Sequence, residues 1–242
     1  MLRIAICDDT PSFLAETKQL VSDWKNCPSD LSIHLFEDGD SLIDAHGTKP
    51  FDIIFLDVVM PLLSGIDAAA EIRLHDKAVK IVFLSVSPEF AVDSYTVKAD
   101  NYLLKPVKPA ALHACLDECY EDILDRQKSI VVRTSSGIHR IMLQNIEHVE
   151  AQGKHVLFTL TDGQTIDATD PFYYYEDSLL LDDGFYKCHR SYLVNIYKIS
   201  SFNTKEIIMQ SGCRIPISRS CHKNFESTYF ALLFGKADDS LC

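Results

Sequence analysis

Two patterns of apolar residues alternate along the first half of the chain. Short apolar runs bounded by turn residues are typical of buried strands, and an apolar residue every third or fourth position is typical of helices with one buried face. Apolar runs predict strands at residues 2–7, 51–57, 80–85 and 101–105, and alternation of apolar and polar residues predicts a strand at 31–36. The predicted helices begin at residues 11, 38, 66 and 88, the fourth ends at residue 98, and a fifth spans residues 112–123.

Polar side chains follow several of these strands at the point where each strand ends. Asp8 and Asp9 follow the first strand, Asp57 ends the third, Ser85 ends the fourth and Lys105 ends the fifth. Strands that alternate with helices predict a parallel sheet with helices on both faces. Ligands of such sheets bind just outside the carboxyl ends of the strands, so these side chains are expected to converge there.

This set of side chains suits phosphoryl chemistry. Three clustered carboxylates repel one another unless a cation lies between them, and hard oxygen ligands in an open site favour Mg²⁺. A lysine and a hydroxyl nearby can bind the oxygens of a phosphoryl group. An aspartate beside the cation can act as a nucleophile and form an acyl phosphate. A simpler interpretation, in which Asp57 only caps the loop that follows it, stays open at this point.

The motifs around these residues resemble a known family. They are the pair Asp8-Asp9, the run FDIIFLDVVMPLLSG around Asp57, IVFLSVS around Ser85, and NYLLKP with Lys105. Residues 1–125 resemble the receiver domain of bacterial two-component response regulators. The resemblance implies an α/β fold with a five-stranded, doubly wound parallel sheet of the flavodoxin-like type.

The resemblance also implies a role for each matching residue. Asp57 would accept the phosphoryl group, and Mg²⁺ would be held by Asp8, Asp9, Asp57 and the backbone carbonyl of Val59. Lys105 would pair with the phosphoryl oxygens, Ser85 would donate a hydrogen bond to them, and Tyr102 would be the aromatic side chain that switches position. Ordinary strand-end polarity and packing is the alternative for Ser85 and Tyr102, and a solvated lysine is the alternative for Lys105.

An enzymatic alternative fits the residues less well. Phosphatases of the haloacid dehalogenase kind also form aspartyl phosphates, but they use a second Asp two residues after the nucleophile as acid and base. The corresponding residue here is Val59, which cannot transfer protons. We therefore expect a protein that is not an enzyme.

The second half of the chain has a different pattern, with short strands and close turns. Strands are predicted at residues 129–134, 138–143, 145–150, 154–161, 164–168, 185–195, 199–202, 207–210 and 214–218. Helices are predicted at about 170–181 and 222–234, and the Asp162-Gly163 pair is a strong hairpin signal. Many short strands favour an all-β domain. The tyrosines at positions 173–175 could stack on nucleic-acid bases, although packing is the favoured interpretation.

Charge is distributed unevenly over the two halves. The chain has a net charge of −12, and residues 1–124 carry 10 Lys and Arg against 21 Asp and Glu. Residues 125–242 carry 13 against 14, yet residues 187–223 hold seven Lys and Arg and only one acid, Glu206. This basic stripe, residues 187–223, suggests a face that binds phosphate. A solvated strand edge guarded by basic residues is the alternative.

The same region contains the second set of family motifs. FYKCHRSYLVN occupies residues 185–195, EAQGKH lies upstream at 150–155, and PISRS follows at 216–220. Residues 128–235 resemble the LytTR DNA-binding domain, a family that is all-β and inserts loops into successive major grooves, usually as a dimer. The resemblance implies a set of residues that contact DNA: Lys154, His155, His189, Arg190, Arg219 and Lys223. His155 and His189 could instead be buried structural histidines.

Together these motifs predict a LytTR-type response regulator. We expect a receiver domain at 1–125, a DNA-binding domain at 128–236 and an acidic tail at 237–242. A sensor histidine kinase would phosphorylate Asp57, and the protein would then form a homodimer that binds promoter DNA. Two alternatives remain: a switch whose second domain binds a protein, and constitutive DNA binding with a silent receiver.

The sequence also indicates where in the cell the protein is expected. Asp8 and Asp9 interrupt the short apolar start, so no signal peptide is expected. No apolar run approaches the roughly 18 residues that a membrane helix needs. The eight cysteines are scattered and have no metal-ligand spacing, which favours reduced thiols in a cytoplasmic protein.

Overall fold

The chain folds into two compact units, residues 1–123 and 124–242. The computed structural model describes residues 1–90, 96–179 and 184–234, and for Lys223 and Phe234 it describes the backbone alone. The predicted acidic tail therefore lies outside the described residues, as do residues 91–95 of the predicted helix at 88–98. The predicted domain boundaries at 125 and 128 stay predictions.

The first unit is built on a five-stranded parallel sheet. Its strands are β1 (Leu2–Cys7), β2 (Leu31–Phe36), β3 (Ile53–Asp57), β4 (Lys80–Ser85) and β5 (Asn101–Leu104). Their order across the sheet is β2-β1-β3-β4-β5, and all pairings are parallel. This is the doubly wound order of flavodoxin-like folds, in which the change of direction beside β1 and β3 creates a crevice at their carboxyl ends.

Neighbouring residues in each central strand point to opposite faces of the sheet. In β1, Ile4 packs in one hydrophobic cluster and Ala5 in the other, and in β3, Phe55 and Leu56 are divided in the same way. Both faces are covered by helices, so both sets of residues are buried. This explains why the interior positions of the central strands are almost entirely apolar rather than alternating with polar residues.

Four helices of the first unit are described. They are α1 (Pro11–Ser22), α2 (Gly39–Thr48), α3 (Gly65–His75) and α4 (Pro109–Gln127). Asp38 caps α2 by accepting from the Ser41 N–H at 2.8 Å, and Ser64 caps α3 by accepting from the Asp67 N–H at 3.1 Å. Of the predicted helix at 88–98, Pro88–Phe90 forms a 3₁₀ turn.

The second unit consists mostly of antiparallel strands. They are β6 (Ser129–Thr134), β7 (Gly137–Met142), β8 (Ile146–Gln152), β9 (His155–Leu160), β10 (Thr165–Ala168), β11 (Phe185–His189), β12 (Tyr192–Asn195), β13 (Ile199–Phe202), β14 (Glu206–Met209) and β15 (Arg214–Pro216). One sheet has the order β10-β9-β8-β12-β11. A second sheet joins β13, β14 and β15, and a third joins β6 and β7.

The prediction of one continuous strand over residues 185–195 is wrong. The chain reverses between His189 and Tyr192, and β11 pairs with β12 in an antiparallel hairpin with a register shift after Lys187. The Ser191 N–H donates to His189 Nδ1 at 3.3 Å, which closes the turn. No glycine or proline marks this reversal, so the pattern of apolar residues did not reveal it.

Two helices and two hydrophobic clusters complete the second unit. Helix α5 (Phe172–Ser178) buries Tyr175 against Phe158, with ring centroids 4.8 Å apart, while Tyr173 and Tyr174 are exposed. Helix α6 (Arg219–Phe234) begins three residues before its predicted start and packs Phe225 into the cluster beside β13 to β15. Within the described residues, no helix is long and apolar enough to cross a membrane.

Candidate functional site

The carboxyl ends of β1, β3 and β5 bring two aspartates to one lysine. Lys105 directly follows β5, and its Nζ lies 2.6 Å from Asp8 Oδ2 and 3.0 Å from Asp57 Oδ2. The Lys105 side chain is 4% exposed and the Asp8 side chain is fully buried. Charges this deeply buried must be paired, so the two ion pairs hold all three side chains in place.

Asp9 completes an acidic cluster with Asp8 and Asp57. Their carboxylate oxygens lie within 4.8 Å of one another, and Asp9 is the exposed member. The Thr10 N–H donates to Asp8 Oδ1 at 3.0 Å, and the Val59 N–H lies 3.5 Å from Asp57 Oδ1. The cluster offers only hard oxygen donors and is open on the side of Asp9, so it could hold a divalent cation.

The electrostatics of the cluster follow from its burial. Burial raises the pKa of Asp57, and the hydrogen bond and charge of Lys105 only partly oppose that effect. Just behind the cluster, burial and the negative charge of Asp38, Asp8 and Asp57 raise the pKa of the Cys7 thiol to about 12. Both shifts indicate a site with excess negative charge in a poorly solvated environment.

A glycine allows the next helix to approach Asp57 closely. A Cβ built on Gly65 would lie 1.9 Å from the Asp57 carbonyl oxygen. The Gly65 N–H donates to the Val58 carbonyl at 3.0 Å, which closes the loop between β3 and α3. Any larger residue would displace the backbone of Asp57, so Gly65 contributes to the position of the carboxylate.

Ser85 and Tyr102 both form hydrogen bonds with Ser87. Ser85 is fully buried; its Oγ accepts from the Ser87 N–H at 3.2 Å and donates to the Ser87 carbonyl at 3.2 Å. The Tyr102 hydroxyl donates to the same carbonyl. Sequence reasoning overlooked Ser87, although a serine two residues after another is a signal for such a local turn.

Two further residues of the site went unpredicted. The ring of Phe13, in the first turn of α1, lies 4.5 Å from Lys105 Nζ, close enough for a cation–π interaction. The Thr10 hydroxyl donates to Asp9 Oδ1 at 3.2 Å. Asp side chains often accept a hydrogen bond from the backbone N–H two residues later, as Asp8 does from Thr10, and this pattern could have identified Thr10. No local pattern identifies Phe13.

In the second unit, the β11–β12 turn and the start of α6 bring basic residues together. A cleft of about 310 Å³ is lined by Lys187, His189, Arg190, Ser218, Ser220 and Cys221. The Ser218 N–H donates to the Cys188 carbonyl at 2.9 Å, which fixes the start of α6 against β11. Arg190 and Arg219 are both exposed. These elements place part of the basic stripe at one surface.

The other predicted DNA contacts are arranged differently. Lys154 and His155 are exposed in the β8–β9 hairpin, and His155 Nδ1 lies 2.8 Å from Asp167 Oδ2. The alternative that His155 is a buried structural histidine is wrong, because its side chain is 66% exposed. His189 is half-buried with its Nδ1 occupied by the turn. The side chain of Lys223 lies outside the part of the chain that the structure describes.

One charge of the basic stripe is paired within the unit. Lys187 Nζ lies 2.6 Å from each carboxylate oxygen of Glu176, which belongs to α5. Glu176 lies eleven positions before Lys187 in the chain, and no spacing in the sequence predicts their contact. Lys187 therefore contributes less positive potential than its formal charge suggests.

Comparison with known families places both units. The model of the response regulator receiver domain matches residues 4–117. The model of the LytTr DNA-binding domain matches residues 136–229. Each match lies within one structural unit, and each agrees with the resemblance that the motifs carry.

Relatives match nearly the whole chain. The sensory transduction protein LytT of Bacillus subtilis (strain 168) is 27% identical over 93% of this chain and 98% of its own. The transcriptional regulatory protein LytR of Staphylococcus aureus (strain bovine RF122 / ET3-1) is 26% identical over 94% and 98%. Among solved structures, the REC domain of AraT, a response regulator from Geobacillus stearothermophilus, is 22% identical over 52% of this chain and 98% of its own, with a TM-score of 0.48. The chain thus belongs to the LytTR family of response regulators and is a transcription regulator controlled by phosphorylation.

Proposed function

We propose that Asp57 accepts a phosphoryl group from a partner histidine kinase. The observation that carries this proposal is the Lys105 ammonium between Asp8 and Asp57, at 2.6 and 3.0 Å. A carboxylate held beside a fixed cation can attack phosphorus while the bond from phosphorus to the donor nitrogen breaks. Lys105 then remains to pair with the new phosphoryl oxygens. The protein itself would not be an enzyme.

Mg²⁺ fits the acidic cluster as the second cation of the transfer. Asp8, Asp9 and Asp57, with the backbone carbonyl of Val59, would hold it. The three carboxylates converge within 4.8 Å and supply the hard oxygen ligands that this ion prefers. When bound, the ion neutralises charge that develops on the transferred group.

Ser85 and Tyr102 would couple the phosphoryl group to the rest of the receiver. The Ser85 hydroxyl is bonded to Ser87 here, so donating to a phosphoryl oxygen would require it to leave that carbonyl. The Tyr102 hydroxyl shares the carbonyl and would rearrange with it. We propose that this rearrangement shifts the receiver, residues 1–125, toward a form that dimerises. The dimer would form through the face that carries the predicted helices at residues 88–98 and 112–123.

The DNA-binding domain, residues 128–236, would contact promoter DNA in the cytoplasm with the predicted residues: Lys154, His155, His189, Arg190, Arg219 and Lys223. Arginine can bind guanine bidentately, whereas lysine mainly holds phosphate. The domain is close to neutral overall, so a single copy would bind weakly. Two linked copies on paired sites would bind far more tightly, which is how dimerisation would control the output.

Capture of random genomic fragments by the full-length protein tests this function. The protein is used with and without a stable phosphoryl mimic, at two salt concentrations, beside Arg219→Ala and Asp57→Asn. We expect a common paired motif that is enriched by the mimic, lost in Arg219→Ala and weakened by salt. Asp57→Asn should bind without responding to the mimic.

Other outcomes separate the alternatives. Equal capture of a motif with and without the mimic would favour constitutive DNA binding with a silent receiver. Capture of no motif under any condition would contradict the predicted DNA contacts and favour a switch that binds a protein.

A further inference from the structure

A second ion cluster lies at the amino ends of β4 and β5, at the end of the sheet opposite to the acidic cluster. Lys80 is the first residue of β4, and its Nζ lies 2.8 Å from Asp100 Oδ1 and 2.5 Å from Asp122 Oδ2. Asp100 directly precedes β5 and also receives Arg73 Nη2 at 3.2 Å. We call Arg73, Lys80, Asp100 and Asp122 the basal cluster. It takes no part in the phosphoryl transfer proposed above.

The members of the basal cluster differ in burial. The side chain of Lys80 is 6% exposed, that of Asp100 is 23% exposed, and that of Asp122 is 60% exposed. Burial alone would lower the pKa of Lys80, but its hydrogen bonds to Asp100 and Asp122 outweigh burial and hold the pKa above its ordinary value. Lys80 thus stays charged and needs both carboxylates, while Asp122 is the partner that solvent can reach.

The basal cluster joins β5, the strand that carries Tyr102, to α4. Asp100 is bonded to β4 twice: its N–H donates to the Ile81 carbonyl at 2.8 Å, and its Oδ2 accepts from the Ile81 N–H at 2.9 Å. Tyr102 follows two residues later in β5. Asp122 lies in α4, whose last four residues, 124–127, already belong to the second unit.

Packed strands move as stiff elements. A displacement of Tyr102 should therefore also displace Asp100, which directly precedes the same strand. Lys80 is shared between Asp100 and Asp122, and a shift of one carboxylate changes the distance of the ammonium to the other.

We propose that Asp122 is a positioning residue: through Lys80 and Asp100 it ties the end of α4 to β5 and releases it when Asp57 is phosphorylated. This inference rests on the proposed function of Asp57. It adds that phosphorylation changes the structure of the receiver at the end of α4. This region lies near the amino ends of the strands, whereas the phosphoryl group would lie at their carboxyl ends.

Hydrogen–deuterium exchange of the full-length protein tests the proposal. Beryllium trifluoride with Mg²⁺ serves as the phosphoryl mimic, and peptides covering residues 85–90, 99–104 and 118–127 are followed. The variants are Asp122→Asn, the conservative Asp122→Glu, and Glu121→Gln as a control with the same change of charge at the neighbouring exposed position. Melting temperatures show whether each variant is folded, and Asp122 is exposed enough that Asp122→Asn should fold.

In the wild-type protein the mimic should change exchange at 99–104 and 118–127 together. Asp122→Asn should exchange about two- to fivefold faster at 118–127 without the mimic, as expected for loss of a partly exposed ion pair, and should respond little to its addition. Asp122→Glu and Glu121→Gln should behave like the wild type. A purely structural role would lower the melting temperature without removing the response.

The inference is overturned if the mimic changes exchange at residues 118–127 in Asp122→Asn as much as in the wild type. It is also overturned if the mimic changes exchange in the wild type at residues 85–90 and not at 118–127. A protein in which the mimic changes no peptide, including 85–90 beside the acidic cluster, would overturn the proposed function of Asp57 and this inference with it.

Discussion

The acidic cluster and the basic stripe show two ways of building a charged site. Asp8 and Lys105 are almost completely buried and paired with each other, whereas Arg190 and Arg219 of the basic stripe are exposed to solvent. In the first site the buried side chains are each held by several contacts, while in the second the backbone turns determine where flexible side chains can reach.

The two sites should therefore differ in how strongly a single substitution affects them. A buried, paired site is positioned before its ligand arrives, so removing one group disturbs the others and the losses are large. An exposed binding face gains affinity from many small contacts that salt can screen, so single losses should be smaller and should depend on ionic strength. The following predictions test this contrast.

Asp57→Asn should have the largest effect. Loss of the nucleophile should lower phosphoryl incorporation from a phosphorylated kinase domain by roughly a thousandfold or more. Radiolabel transfer measures it, with Asp44→Asn, an exposed carboxylate on α2, as the control. Transfer to Asp57→Asn at the wild-type rate would show that another residue is the acceptor.

Lys105→Met should destabilise the receiver. Removing the ammonium leaves Asp8 and Asp57 buried without their partner, which should lower the free energy of unfolding by about 3 kcal/mol in the absence of divalent cations. Added Mg²⁺ should recover part of this loss, because a cation would again lie among the carboxylates. Chemical denaturation with and without Mg²⁺ measures both effects, and equal stability of variant and wild type would contradict the tight pairing.

Arg190→Ala should weaken binding to a captured DNA motif by about 10- to 100-fold, as loss of a bidentate base contact does. Arg133→Ala is the matched control, because its side chain is also well exposed, at 66%, and lies in β6 outside the basic stripe. Fluorescence anisotropy at fixed salt measures the change. Similar losses in both variants would mean that charge alone, rather than position, determines binding.

A smaller effect is expected from pH. Burial raises the pKa of Asp57 above its ordinary value of 3.8. A carboxyl with a raised folded-state pKa favours folding below its unfolded pKa, and this contribution is lost as the pH rises through the folded pKa. The stability of wild type relative to Asp57→Asn should therefore fall as the pH rises from below 3.8 toward neutrality, and denaturation at several pH values without Mg²⁺ measures it.

Lys187→Ala should have the smallest effect. Its ammonium is already paired with Glu176 at 2.6 Å, so its loss should weaken DNA binding less than about threefold. Glu176→Gln should instead free the lysine, strengthen binding about two- to fivefold and raise the salt dependence by about one phosphate contact. A loss in Lys187→Ala as large as in Arg190→Ala would show that the ion pair opens on DNA.

Prediction from the sequence was most successful where a local pattern carries the information. The strands Leu2–Cys7 and Lys80–Ser85 have their predicted bounds because they are buried, almost entirely apolar and followed by or ended by polar residues. Leu31–Phe36 has its predicted bounds because apolar and polar residues alternate along this partly exposed edge strand. The hairpin at Arg190 was missed because its turn is closed by His189 and Ser191 rather than by glycine or proline. Local spacing could not reveal a partner that arrives from another element, such as Glu176.

The sequence by itself determined the two families, the order of the receiver strands along the chain and the residue types at each strand end. Tertiary structure decided which of these side chains meet. Lys105 reaches Asp8 across 97 positions, and Lys80 reaches Asp100 across 20 positions and Asp122 across 42. Such contacts depend on sheet order and on the packing of helices, which fix distances between residues far apart in the chain, and no local periodicity contains those distances.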